Sequence, residues 1–155
     1  MLKGIRQYDK ELLKVIQDYG CLFLCFANAS PLIFEGTNGR IALNKIWKEA
    51  EKRGYITPDL NNDGDYDDWG EAEIKNHTAL ANEFFALDVT YDNMHHKANE
   101  EIPDDVEFIF GKYVFTQGHF VQLNRYKKVI FDSYGQSNAV IHGRLDTMRF
   151  YYRNK

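Results

Sequence analysis

Cys21 and Cys25 lie in the run DYGCLFLCFANASP, His119 opens the segment GHFVQL, and Asp132 closes KVIFD. A cysteine attacks a carbonyl as its thiolate, which calls for a nearby imidazole as base and a third group to orient that ring. Position separates the two cysteines. Gly20 suits the end of one helix and Cys21 the start of the next, where free amide N–H groups and the positive end of the helix dipole favour negative charge. Cys25 lies one turn further in, beyond that help, and reads as core. A spacing of four fits neighbours on one helical face rather than a loop-closing bridge, so both thiols are expected to be reduced.

Among the five histidines, His77 falls on an expected helix, His95 and His96 in a polar loop, and His142 near the C-terminal end. His119 differs because it begins a strand. Alternation puts His119, Val121 and Leu123 on one face, and Lys128, Ile130 and Asp132 on one face of the returning strand. With an even-numbered hairpin loop, residue i pairs with residue 251 − i, which sets His119 directly opposite Asp132. Directly opposed Cβ atoms are about 4.5–5.5 Å apart, within reach of a carboxylate–imidazole hydrogen bond. An odd loop turns the two to opposite faces. Each residue alone reads blandly, as core filler, strand histidine or turn-starting aspartate. Together they make a candidate nucleophile, base and orienting acid.

A second dense group of ionisable residues is DLNNDGDYDDWGE, from Asp59. It places Asp59, Asn61, Asp63 and Asp67 at loop positions one, three, five and nine, with Asp65 between them and Gly64 at six. Calcium takes six to eight oxygens in such a wrap, and glycine permits the sharp turn. Position twelve is Gly70, with Glu71 one place late, so a full EF-hand is not expected. The loop reads either as a structural calcium site or as a solvated acidic turn. Calcium would stiffen the link between helices; the thiol chemistry requires no cofactor. A transition-metal site built from His95, His96 and the cysteines lacks a paired ligand motif.

These groups must be carried by one domain, because 155 residues with 44% apolar and 15% aromatic content make a single globular core. The first part, about 1–87, reads as helices. Asp9 is an expected cap for a short helix bearing Leu12, Leu13, Ile16 and Tyr19. The helix from Cys21 must stop near Ser30 because of Pro31. Thr37 or Asn38 is an expected cap for a helix with Ile41, Leu43, Ile46 and Trp47 inward and Gly54 as its stop. A fourth helix is expected over about 71–86, with Ile74, Leu80, Phe84 and Phe85 inward. From 88 to 155 the β-branched and aromatic runs LDVTY, VEFIF, KYVFT, HFVQL, KVIFD and TMRFYY predict strands, with HHKANEEIPDD as an exposed polar loop. The fold class is α+β, N-terminal helices on a twisted antiparallel sheet.

The net charge of −4 is a local property, since residues 59–73 hold seven acids and no Lys or Arg. No dense basic block tracks a phosphate backbone, so nucleic acid is not an expected partner. There is neither a secretory signal nor a membrane span, which makes the cytoplasm the expected location.

Gly-Cys opening a helix, a later Gly-His-aromatic opening a strand, and an Asp closing the next strand resemble the papain-like superfamily. Within it the pattern is closest to the double-glycine leader peptidases and to a bacterial and phage-associated group of similar length. The resemblance implies Cys21 as nucleophile, His119 as general base and acid, and Asp132 as the orienting residue. It also implies Gln17 in the oxyanion hole beside the Cys21 amide, with Gln7 as the alternative donor. The reaction implied is acyl transfer from a peptide or other amide-containing substrate, a murein cross-link included. The rival reading is a non-catalytic binding module of phage or prophage origin that keeps the papain-like fold.

Overall fold

The computed structural model describes all 155 residues and divides them as the hydrophobic patterning does, into a helical N-terminal region and an antiparallel sheet. In the first region a two-residue strand β1 (Leu2–Lys3) pairs in parallel with β2 (Phe34–Glu35). Between and after them come α1 (Lys14–Tyr19), α2 (Cys21–Ala29) and α3 (Gly36–Lys52). A short α4 (His77–Ala79) runs into one π-helical turn at Leu80–Phe84. No helix is long and apolar enough to cross a membrane.

The sheet comprises β3 (Val89–Tyr91), β4 (His96–Lys97), β5 (Val106–Val114), β6 (Gly118–Leu123), β7 (Val129–Phe131) and β8 (Arg144–Arg153), with α5 (Asn138–His142) before the last strand. Its order is β3-β8-β5-β6-β7, and β4 also pairs with β8. VEFIF and KYVFT, expected as separate segments, are one strand. Gly111 between them lies so close to Leu123 and Leu145 that a side chain there would collide with both.

The helix that carries Cys21 is the most enclosed element. Phe23, Leu24, Cys25, Phe26 and Ala27 are all buried, because one side of α2 meets α3 and the other meets the sheet. Phe23 meets Trp47 edge-on at 5.0 Å, while Phe26 meets Phe110 at 5.0 Å and Tyr151 at 5.3 Å. Burying each such ring contributes about 1.5–3 kcal/mol, so the position of Cys21 is fixed by a packed core rather than by a loop. The opposite face of the sheet forms a smaller cluster of Val106, Ile109, Val121, Leu123, Met148 and Phe150, covered by Val140 of α5 and by Ile102.

Several local expectations give way to tertiary contacts. Asp9 does not cap α1, which begins only at Lys14; its carboxylate takes Arg40 and the Glu11 N–H. Neither Thr37 nor Asn38 caps α3. That helix starts at Gly36 behind an extended Glu35, with Gly39, Leu43, Trp47 and Ala50 inward and Ile41 exposed. Gly54 does end it, at φ 78°. The helix expected over 71–86 shrinks to 77–84, because Ala72 takes φ 59° and Ile74 bridges to Ile56 as an extended residue. HHKANEEIPDD is not simply an exposed loop. His96 and Lys97 pair with β8, and the His96 ring stacks on Phe150 at 4.0 Å.

Candidate active site

Cys21 is the first residue of α2, where a backbone N–H has no intrahelical acceptor. Gly20 is required by close approach. A Cβ there would stand 2.5 Å from the Ile16 carbonyl oxygen, so only glycine lets α1 turn directly into α2. The Cys21 sulfur accepts the backbone N–H of Phe120 at 3.4 Å, which ties the start of α2 to the start of β6. Cys25 is fully enclosed, and burial pushes its thiol well above the ordinary range. Cys21, by contrast, is partly exposed.

His119 and Asp132 meet, but by a different register from the expected one. Leu123 pairs with Val129, so the loop Asn124–Lys128 has an odd number of residues, and that register alone would turn Asp132 away from His119. One step on, Gln122 pairs with Phe131, leaving Ile130 bulged out of the ladder and 56% exposed. The bulge shifts the register by one more residue and restores the parity. Asp132 therefore returns to the face of His119 as a diagonal neighbour just beyond β7, with His119 Nε2 2.8 Å from Asp132 Oδ1.

The pair is buried and fully engaged. Asp132 accepts backbone N–H groups from Tyr134 at 3.0 Å and Ser137 at 2.9 Å besides the ring nitrogen. Burial alone would raise its pKa, but hydrogen bonds from His119, Ser137 and Tyr134 hold its carboxyl well below the usual carboxylate range. Burial alone would lower the pKa of His119, yet Asp132 and the neighbouring Cys21 together raise it to about 9. The imidazole thus hydrogen-bonds the Asp132 carboxylate through Nε2, and Cys21 is close enough to act on the charge of the ring. The ring of Tyr134 lies 5.3 Å from that of His119 and shields it.

Cys21 and His119 open into a cavity of about 370 Å³ that Gln7, Gln117, Tyr134 and Ser137 also line. Gln17 is not in it. Its side-chain amide instead donates to the Leu12 carbonyl at 2.8 Å. Gln7 takes the place in the cleft. Its side-chain oxygen accepts the Ser133 hydroxyl at 2.6 Å and its Nε2 donates to the Gln17 carbonyl at 3.1 Å, which fixes the amide face and leaves a second N–H. Gln7 precedes every helix, and nothing local in RQYD marks it for this position. Ser133 was equally hidden in a segment that reads as a turn.

Two of the remaining four histidines, His77 and His96, are committed elsewhere. His77 bonds the Tyr151 hydroxyl at 2.9 Å and stacks on Tyr91, and burial lowers its pKa to about 4. His96 is held between Asp92 and Glu100 at 2.7 Å each. The acidic loop does not form the expected oxygen wrap. Only Asp63 and Asp67 of the five expected ligands come together, joined by Asp68, with carboxylate oxygens within 4.8 Å and all three exposed. Asp59 and Asp65 stay outside that group, and Asn61 touches it only as a donor to Asp68. Asp59 and Asn61 accept backbone N–H groups of the loop from Gly64 and Asp63, while Asn61 also donates to Asp68. Glu71 takes the N–H groups of Leu60 and Asp68 rather than turning inward as a bidentate ligand.

No family model, no curated protein and no solved structure matches the chain. The functional reading therefore rests on the geometry of the cleft.

Proposed function

We propose that the chain is a papain-like cysteine hydrolase that cleaves an amide bond by acyl transfer. The observation that carries this reading is that Cys21, on a helix start, and His119, on β6, line one cleft, with Asp132, just beyond β7, bonded to the His119 ring. Helix-borne sulfur facing sheet-borne imidazole is the arrangement that the sequence resemblance implies.

The geometry supports a balanced sequence of steps. The Cys21 thiolate attacks the substrate carbonyl carbon, forming the C–S bond and moving the π electrons to oxygen. In this reading the Cys21 N–H and the second N–H of Gln7 Nε2 receive that oxyanion, since both residues line the cavity. His119 transfers its Nδ1 proton to the leaving nitrogen as the C–N bond breaks, and the amine departs. The neutral ring then takes a proton from water as it attacks the thioester, releasing the acid and restoring the thiolate and imidazolium. Asp132 holds Nε2 and so keeps Nδ1 toward the sulfur.

Alkylation by chloroacetamide, read by mass spectrometry, tests the reading. Cys21 should be modified selectively over buried Cys25, and His119→Ala should slow that modification at neutral pH by at least about tenfold. Equal, sluggish labelling of both cysteines that ignores His119→Ala would instead favour a binding module.

A further inference from the structure

A second cavity, of about 380 Å³, shares Asp18, Cys21, Gln117 and Gly118 with the first. Its walls are apolar, from Leu22, Phe23, Trp47, Ile74 and Phe120. Three charged side chains reach it, and they are not equivalent. Asp18 is neutralised by Lys14 at 2.7 Å and Glu73 by Lys75 at 3.2 Å. Lys112 has no acid within 4.0 Å and no side-chain hydrogen bond. It stands on β5 opposite Phe120, and its stem crosses the start of β6 at Gly118, where an added Cβ would lie 2.4 Å from Lys112 Cε and 3.4 Å from Nζ. Glycine immediately before His119 therefore lets an ammonium reach the edge of the cleft.

Arg149 reinforces the charge from behind. It is 5% exposed, with its guanidinium 5.2 Å over the Phe120 ring, and Asp146 acts on it only from beyond salt-bridge reach. A partly buried cation against apolar walls, with every neighbouring carboxylate already paired, lacks one partner.

We propose that the substrate supplies it. If the cleft is that of a hydrolase, as argued above, the class of substrate is a peptide with glutamate beside the scissile bond. The glutamyl methylenes lie along Leu22, Ile74 and Phe120, and the carboxylate meets Lys112 Nζ. A neutral isostere leaves the ammonium unpaired.

Incubating the full-length protein with a peptide library and locating cleavage sites by mass spectrometry tests the assignment. Glutamate should be enriched over glutamine by at least about tenfold at one position flanking the cut, the step expected of one charge-assisted hydrogen bond. Lys112→Arg should keep that ratio, Lys112→Met should bring it to about one, and Lys112→Glu should move the preference to lysine and arginine. Because each ratio is internal to one variant, partial loss of folding does not blur it. Cleavage with no acidic enrichment, or a ratio unchanged in Lys112→Met, overturns the role of Lys112 alone. No cleavage of any peptide overturns the substrate class, while the hydrolase reading is judged separately by His119-dependent alkylation of Cys21.

Discussion

The Cys21 cleft and the acidic loop are both rich in ionisable groups, and they are built in opposite ways. In the cleft, Cys21, His119, Asp132, Gln7 and Ser133 come from distant parts of the chain, and all but the partly exposed sulfur are buried. Each of those side chains is held by a partner in a different segment or by a neighbouring backbone amide. In the loop, seven acids are neighbours in sequence, and the Asp63, Asp67 and Asp68 carboxylates stay in solvent. Its Asx-type bonds are local, from Gly64 to Asp59, Asp63 to Asn61 and Asp65 to Asp63. Dense charge along the sequence here marks a locally bonded turn, whereas the proposed chemistry draws on sparse residues that the core brings together. The comparison predicts large effects in one region and small ones in the other.

The largest effect is expected from the cleft's own members. Cys21→Ala should abolish amide hydrolysis, and His119→Ala should lower kcat/KM by at least about 10³-fold, measured on any peptide the wild type cleaves. Cys25→Ala, one turn along the same helix, should instead cost stability through a small cavity and leave the acyl-enzyme mass intact. If Cys25→Ala alone stopped hydrolysis, the contrast between the two thiols would be wrong.

The pH response comes next. His119 has a pKa raised from 6.5 to about 9, so the imidazolium that protonates the leaving amine is lost as pH rises through about 9. Hydrolysis should fall above that pH, while alkylation of Cys21, which needs no leaving-group proton, should not fall with it. The same raised value means that the His119 ion pair stabilises the fold fully below 6.5 and progressively less up to about 9. Asp132, lowered from 3.8, contributes above that value, and its contribution is lost as pH falls. Thermal melts should show a plateau between these limits, and His119→Ala should flatten its alkaline edge. An alkaline edge unchanged in that variant would mean that other groups set it.

Gln7 and Gln17 sharpen the contrast within the cleft. Gln7→Ala should cost about 10²–10³ in kcat with a smaller change in KM, as removal of an oxyanion donor does. Gln17→Ala should lose only a hydrogen bond to Leu12, about 1 kcal/mol of stability, with kcat retained. Ser133→Ala should fall between, because it frees the Gln7 amide to rotate without removing it. The reverse ranking of Gln7 and Gln17 would restore the sequence expectation.

These glutamines show where the sequence stops informing. Helix boundaries were legible where steric rules act locally, as at the start at Gly20–Cys21 and the end at Ser30 before Pro31. The α+β division was legible because apolar spacing changes period near residue 88. The expected cap at Asp9 failed because its carboxylate pairs with Arg40, and those at Thr37 and Asn38 because α3 already begins at Gly36 behind an extended Glu35. The meeting of His119 with Asp132 was legible only in outcome. It depended on an odd loop and a bulge at Ile130 whose effects cancel, and no propensity distinguishes that from the even loop. Gln7 entered only as the alternative to Gln17, because what orients its amide is Ser133, far along the chain.

The smallest expected effect tests the loop. Asp63, Asp67 and Asp68 hold three carboxylates close together with no Lys or Arg between them, so their repulsion slightly destabilises the loop. Replacing Asp63 and Asp67 by Asn should raise Tm by about 1–2 °C at low ionic strength, consistent with an exposed-site change below about 0.5 kcal/mol. The gain should shrink at high salt, where the repulsion is screened. Hydrolysis should be unchanged, since neither residue lines the cleft. A Tm that instead rises by several degrees when millimolar calcium is added to the wild type, and not to the double variant, would make this loop a cation site. It would then share with the cleft the property the comparison denies it, ionisable groups that gain their stability from a specific partner.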